Sequence, residues 1–549
     1  MDISKCALYD PRGCHQDIAA EIGCAFTSEG VAVLGSEHAH DAGAWFSVEE
    51  GEGRLPAVTQ ARVDRALHLG EVLLKTIESG SRQHSVAPAV WHLLRTVLNI
   101  ALDYDSHILA WQPLWTACGD VDECVLRVVS ALLRVQPSEL PVSAIAQLRL
   151  HWNLGGFSSP SAQGKLSHHF LEFLAVAPEA TLRLSEWLQL PLCEVGGVLA
   201  PELAQCRSLL QALERERGIL VAEDGTVSIA GSGAAAPPRL HASDMWQCVK
   251  PLSSEIREAL DTMSRAQLLE GSCWPAADND YHCARVRALA GDCSGRALID
   301  HPSASGQPIL SSRQWALVSK FRLGIRLGSC RCGLKTLEEV RCASALDAFG
   351  CHALHCQTGV LCTARHSVLR SFSNRVGRSA GYAGIIEQCI PEFGLVPRKR
   401  KLADGSMQES LEAAYIDCLL TSHATQPDVL IDVTWRSPFA LHLLSRSARG
   451  AGIAAADGER DKARRYKEVD GFRVSAWSCE LTGCISGSLS ADLRRLAVLA
   501  AEVQAERGMR ASDWDKLWRG ELSAIAMRAC ALAFDKAYTV PHGGSRELV

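Results

Sequence analysis

The 549-residue chain has no run of eighteen apolar residues, so no membrane-spanning helix is expected. Its opening residues, MDISKC, carry neither the basic nor the apolar stretch of a secretory leader, so export is not expected either. No internal repeat is visible, and a net charge of −6 excludes a polycation. The expectation is a nuclear or cytoplasmic protein, not a secreted one. In such a reducing compartment, clustered cysteines bind metal more often than they form disulfides. Most of the 22 cysteines are scattered and read as small buried hydrophobes, Cys206 and Cys530 among them.

What is present is globular in composition, 47% hydrophobic and 21% charged, at a length that suits roughly two to four domains. Acidic residues thin out in one place. Between Arg313 and Lys401 there are 15 Lys/Arg against 5 Asp/Glu. A basic stretch in an acidic chain points to a nucleic-acid surface, the plainer alternative being a solvated face. Along the chain, residues 1–50 read as short strands and turns, with VAVLGS a strand ending in a Gly turn. Helical periodicity follows in ARVDRALHLGEVLLKTI, AVWHLLRTVLNIAL, LRVVSALLRV and SHHFLEFLAV, interrupted by the Gly-rich LGGFSSPSAQGK. GSGAAAPPRL, at 231–240, reads as a linker. Beyond residue 356 the pattern gives a helix (RHSVLRSFSNRVGRSAG), apolar alternation at 414–436, a basic helix near 459–469, a strand FRVSAW and a helical tail over 486–540.

CRCGLKTLEEVRCASALDAFGCHALHC, residues 330–356, packs five cysteines and two histidines into one short segment. Zinc takes four such ligands, which usually arrive as two close pairs. The first pair is Cys330 and Cys332. The second is His352 and Cys356, spaced i, i+4 so that both project from one helical turn. Cys342, Cys351 and His355 are available substitutes, and Cys362 stands outside the set. Arg365 and His366 follow at the start of a helix, where backbone N–H groups already favour a phosphate. PRKRK, carrying Arg398, Lys399, Arg400 and Lys401, reads as a phosphate grip or as a nuclear localisation signal.

YIDCLL and VLIDVTW are strand-like runs joined by the polar TSHATQPD. A hairpin centred between Ala424 and Thr425 sets Asp417 directly opposite Asp432. Opposed side chains lie about 4.5–5.5 Å apart at Cβ, so two carboxylates there repel unless a cation sits between them. One or two carboxylates, with water and substrate phosphate, are what Mg²⁺ asks for. Asp428, in a Pro-Asp pair, is the competing first ligand. On one extended strand it stands about 13 Å from Asp432, so it needs a chain break to share an ion. Lys462 and Tyr466 lie at i, i+4 on the basic helix, and a lysine near a metal-bound water stabilises developing negative charge. Glu387 and Glu480 are further carboxylates that can complete the shell.

Taken in order, CRC, DAFGCHALHC, ARH, YIDCLL…VLIDVTWRSP and KARRY resemble the C-terminal half of a non-LTR retrotransposon polyprotein with a restriction-enzyme-like endonuclease of the PD-(D/E)xK type. Upstream, MDISKCALYDPRG resembles the segment after the catalytic strand of a reverse transcriptase, VAVLGS its primer-grip turn, and QLRLHWNLGGFSSPSAQ the end of its thumb. The resemblance implies an α+β multi-domain chain. Its parts would be a palm remnant (1–55), a helical thumb-like region (56–215), a linker (216–312), a zinc knuckle with its basic segment (313–375), an α/β restriction-endonuclease-like core (376–485) and C-terminal helices (486–549). It implies structural zinc and catalytic Mg²⁺ or Mn²⁺, the latter held by Asp417, Asp432 and Glu387, with Lys462 and Tyr466 in catalysis. DNA would be the substrate, nicked to expose a primer. The element's RNA and a separate reverse transcriptase half would be further partners.

The departures are specific. The chain carries no YADD or FADD pair, so polymerisation by this chain alone is not expected. Ile416 stands where proline usually precedes the first aspartate. Thr434 stands where a lysine follows the second, so Lys462 has to act from the helix. A catalytically inactive nucleic-acid-binding remnant, or the product of a decayed element, are the alternatives.

Overall fold

The computed structural model describes residues 7–9, 25–27, 30–33, 36–39, 55, 57–79, 86–103, 111–165, 219–221, 227–229, 261–262, 264–270, 274–299, 310–328, 331–335, 342, 344–356, 361–401, 407–466 and 474–538. It is mixed α+β and divides into two compact units. The first comprises Met1–Ser79, Leu93–Val129 and Pro160–Met263; the second comprises Gly80–His92, Ser130–Ser159 and Ser264–Val549. No helix among the described residues is long and apolar enough to cross a membrane.

In the first unit β1 (Ala7–Tyr9) pairs with β2 (Ala25–Thr27) in parallel, and β3 (Gly30–Val33) forms an antiparallel pair with β4 (Ser36–Ala39). That second pair falls on VAVLGS. Helix α1 (Ala57–Ser79) buries Val63, Ala66 and Leu73 at helical spacing. The unit boundaries at Leu93 and Val129 fall inside α2 (Ala87–Thr96) and α3 (Trp111–Leu133). Gly70 of α1 abuts the Cys124 side chain of α3, and Glu71 pairs with Arg127 at 2.9 Å. Asp122 accepts hydrogen bonds from Ser161 Oγ (2.5 Å) and the Ala162 N–H (2.8 Å), which fixes the end of the Gly-rich break. A short hairpin joins β5 (Ile219–Val221) to β6 (Val227–Ile229). SHHFLEFLAV and the linker at 231–240 lie outside the described residues.

The second unit opens on α4 (Val142–Arg149), α5 (Asn279–Leu289), α6 (Arg296–Ile299) and α7 (Ser312–Leu323). Residues 274–299, read as linker from the sequence, are therefore largely helical, and α5 is buried along most of its length. After the short helix α8 (Cys351–His355), α9 (Leu361–Ser379) leads into β7 (Ala383–Cys389). A two-stranded ribbon, β8 (Leu395–Lys401) and β9 (Met407–Ala413), is inserted before β10 (Tyr415–Thr421) and β11 (Val429–Arg436). Then come α10 (Leu441–Ser447), α11 (Ile453–Arg465), β12 (Val474–Glu480), α12 (Gly487–Val503) and α13 (Ala511–Ala537).

The main sheet has the order β12-β11-β10-β7, with β11 parallel to β12 and the other two pairings antiparallel. Leu430 to Val433 are all buried, as a strand covered on both faces requires. Alternation sorts them. Ile431 and Val433 pack with Phe372 of α9, Leu493 of α12 and Trp518 of α13, while Leu430 packs with Tyr466. Asp432 and Thr434 therefore share the Leu430 face, toward α11.

Two glycines set how closely helices approach this sheet. A methyl group at Gly458 of α11 would overlap the Ser478 hydroxyl and come within 3.0 Å of Thr434 Cγ2. At Gly377 of α9 it would lie 2.6 Å from Leu420 Cδ1 and 2.9 Å from its Cγ, and closer still to Cδ2. Leu420 is fully buried and has nowhere to turn. Gly377→Ala is therefore expected to destabilise the fold by up to about 2 kcal/mol, an overpacking cost of about 1–3 kcal/mol less the roughly 1 kcal/mol helix preference of alanine. Thermal unfolding reads this directly; a raised Tm would refute the close-packing account.

Candidate functional site

The β10–β11 hairpin pairs Cys418 with Ile431, Leu419 with Leu430 and Leu420 with Val429, a register centred between Ala424 and Thr425. One step further along, Asp417 faces Asp432. Asp417 Oδ2 accepts the Val433 N–H at 2.7 Å and meets His366 Nε2 at 3.2 Å. The two carboxyl groups are themselves in hydrogen-bonding contact. Lys462 reaches in from α11, one helical turn past Gly458, and donates from Nζ to Asp432 Oδ2 at 2.7 Å.

The pair is electrostatically split. Burial raises Asp417, but hydrogen bonds from His366 and Asp432 and from the Val433 N–H outweigh it and hold its carboxyl below the usual range. Burial pushes Asp432 up to about 6; Lys462 opposes the rise and the Asp417 carboxylate adds to it. Two carboxyls this close share a proton or a cation. The donor set (two carboxylate groups, one of them only 5% exposed) is of the hard-oxygen kind that suits Mg²⁺ or Mn²⁺.

Other predicted residues take different places. Tyr466 ends α11, and its hydroxyl donates to the Tyr415 carbonyl at 3.1 Å while facing Asp432. Burial keeps that phenol far above its ordinary pKa, so it braces the site rather than exchanging protons. Glu387 does not join the carboxylates. Its backbone is left-handed (φ 58°) where the β7–β10 ladder skips Asp417, and its mostly exposed side chain pairs with Arg370. Glu480 is fully buried and accepts the Ala454 N–H at 2.9 Å, capping α11 instead of holding a metal. Asp428 is exposed ahead of β11, outside the polar contacts of the pair. Arg365 is buried at 9% exposure and donates to the Leu354 carbonyl (2.9 Å) and to Cys362 Sγ (3.3 Å), so it is not open to a phosphate. Its neighbour His366 is the one that reaches the site. Arg398 to Lys401 lie on β8 of the ribbon, in register with Ser410, Glu409, Gln408 and Met407 of β9.

The cysteine segment folds around a second cluster. Arg331 bridges to Ala345, and Cys332 N–H bonds the Ser344 carbonyl at 3.1 Å while Cys342 N–H bonds that of Leu334 at 2.9 Å. This turn brings Cys342 to the pair on α8. Asp347 holds α8 in place by accepting the N–H groups of Phe349, Cys351 and His352 at 3.0, 3.0 and 2.7 Å. The ligand atoms of Cys332, Cys342, His352 and Cys356 all lie within 4.8 Å of one another. Tetrahedral zinc places its ligand atoms about 3.3–3.8 Å apart, so the set is compatible with a structural zinc. Burial raises the Cys342 thiol, but hydrogen bonds from Ser344, Cys356 and His352 bring it down to about 6, so it offers a thiolate at neutral pH. Cys342, read from the sequence as a substitute ligand, is one of the four, and Cys330 lies outside the described residues. Cys351 is drawn to Asp347 and Tyr281, and His355 is exposed.

A scan against protein-family models finds no match for this chain, and a search of curated proteins finds none. The site therefore rests on its own geometry. His366, Asp417, Asp432, Lys462 and Tyr466 come together; Arg365 and Glu387 do not join them. Sequence reasoning missed Gly458, for which the only signal was a glycine one turn before a basic residue inside a helix. It also missed Asp347, whose Asp-x-x-Gly turn before a helix was legible.

Zinc content separates the two ligand sets. Cys342→Ser is expected to lower bound zinc well below one equivalent, whereas Cys330→Ser retains it; the reverse pattern would restore the Cys330 assignment. Glu480 gives a pH prediction. Burial pushes it up to about 7 from 4.5, against the helix N–H groups and Thr482. Its contribution to stability is complete below pH 4.5 and is lost as pH rises through about 7. Glu480→Gln should therefore gain on the parent by up to about 3 kcal/mol between pH 4.5 and 8, read by denaturant unfolding. A constant difference across that range would contradict the assignment.

Proposed function

We propose that the second unit is a metal-dependent DNA endonuclease derived from a non-LTR retrotransposon, nicking target DNA to prime reverse transcription. The observation that carries this reading is the opposed Asp417–Asp432 pair with Lys462 2.7 Å from Asp432. The order helix, three strands, helix, strand (α9, β7, β10, β11, α11, β12) supports a restriction-enzyme-like core, with the ribbon and α10 as insertions. Lys462 on the helix supplies the cation that Thr434 does not.

In this reading Asp417 and Asp432 hold Mg²⁺ or Mn²⁺, which when bound supplies charge neutralisation and a water acidified for attack on phosphorus. Lys462 keeps Asp432 ionised and places positive charge beside the reacting phosphate. His366 fixes the Asp417 carboxylate, and Tyr466 fixes the end of α11 from which Lys462 projects. The basic ribbon grips DNA phosphates, and the Cys₃His cluster holds zinc as a structural knuckle. In this reading the first unit resembles the palm remnant and thumb of a reverse transcriptase, and the element's RNA is a further partner.

The test is nicking of supercoiled plasmid by the full chain with Mg²⁺ or Mn²⁺. Asp417→Ala, Asp432→Ala and Lys462→Met should each reduce nicking by at least about a hundredfold while DNA binding persists. Burial raises the Asp432 carboxyl, so protons compete with the cation there and nicking should fall toward acid pH. DNA binding with no metal-dependent nicking in the parent protein would instead identify a nucleic-acid-binding remnant.

A further inference from the structure

The arginine beside the site has an unusual set of attachments. Leu354, whose carbonyl accepts Arg365 Nη1 at 2.9 Å, lies between two members of the cysteine cluster, His352 and Cys356, on α8. Arg365 Nη2 contacts Cys362 Sγ at 3.3 Å, and that thiol in turn faces the Cys356 carbonyl at 3.5 Å. The backbone of Arg365 is engaged from the other side. Its carbonyl accepts Trp435 Nε1 at 2.8 Å, and Trp435 lies three residues beyond Asp432 on β11. The next residue, His366, meets Asp417 at 3.2 Å. Arg365 thus ties the segment between His352 and Cys356 to β11, and its neighbour His366 meets Asp417 on β10.

We propose that Arg365 is a positioning residue that couples the Cys₃His cluster to the Asp417–Asp432 pair, so that a filled cluster sharpens cation binding at the carboxylates. The proposal rests on the metal-dependent reading of that pair. A cluster that loses its metal no longer fixes α8, so Leu354 no longer anchors the guanidinium. The first turns of α9, with His366, then lose their fixed distance to Asp417. A free guanidinium on the surface has no such effect. Here it does, because it bonds the Leu354 carbonyl of a segment that the cluster organises and the Cys362 thiol that faces the Cys356 carbonyl.

The experiment is a thermodynamic cycle read by Mn²⁺ binding to the full-length protein, followed by electron paramagnetic resonance of free Mn²⁺ and independent of nicking. Asp432→Ala identifies the class of sites that belongs to the pair. Cys356→Ser should weaken that Mn²⁺ binding by about five- to tenfold when Arg365 is present, and by less than twofold in Arg365→Met. Coupling is reciprocal, so saturating Mn²⁺ should tighten zinc binding, read by equilibrium competition with a chromophoric chelator, by a similar factor, and Arg365→Met should abolish the tightening. Because Arg365→Met can fail to fold, Trp435→Phe serves as the second variant. It keeps an aromatic ring, removes the donor to the Arg365 carbonyl, and should at least halve the coupling. Equal effects of Cys356→Ser with and without Arg365 would overturn the proposal while leaving the nuclease reading intact. Absence of any Asp432-dependent Mn²⁺ site in the parent protein would overturn both.

Discussion

Two carboxyl groups facing each other across a β-hairpin in a buried sheet repel unless something positive or a proton stands between them. The rest of the second unit can be understood from how Asp417 and Asp432 are kept in that position. The turn between β10 and β11 fixes the register, and period-two alternation sends Ile431 and Val433 into the core while Asp432 faces α11. A one-residue slip would bury the wrong set, so the hydrophobic pattern that stabilises the strand also places its charge. Lys462 and His366 compensate one carboxylate each, from opposite elements of the fold.

The supports of the pair are reached by unusually close packing. Gly458 lets α11 settle onto Thr434 and Ser478, and Glu480 receives the first N–H groups of the same helix. Gly377 does the corresponding work for α9 against Leu420. The short α8 is held by Asp347 at its start and by the cysteine cluster around it. Stability and chemistry are joined at these points, since the same contacts that exclude water from the core set the position of Lys462 and His366.

The hairpin register was legible because two apolar runs flank a polar loop, and a centre between Ala424 and Thr425 sets Asp417 opposite Asp432. The helical stretches of α9, α12 and α13 were legible from the sequence pattern, whereas the basic helix expected near 459–469 begins earlier and spans Ile453–Arg465. Three placements were not legible. Cys342 joins the cluster through a chain reversal between Arg331 and Ala345 that ligand spacing alone does not encode. Glu387 is turned away by a left-handed residue in mid-strand, which no composition rule anticipates. Arg365 and His366 are adjacent, yet neighbours on a helix differ by about 100° in direction, so one is buried under α8 and the other reaches Asp417. The stretch before α7 was read as linker from the resemblance, yet α5 within it is buried along most of its length.

The central claim is that the aspartate pair holds a divalent cation. A crystal of the protein soaked in Mn²⁺ and measured at the manganese absorption edge tests it most directly. The account predicts one anomalous peak between the carboxylates of Asp417 and Asp432, absent from crystals of Asp432→Ala. A well-ordered pair with no peak at saturating Mn²⁺, its carboxyls still in contact, would contradict it.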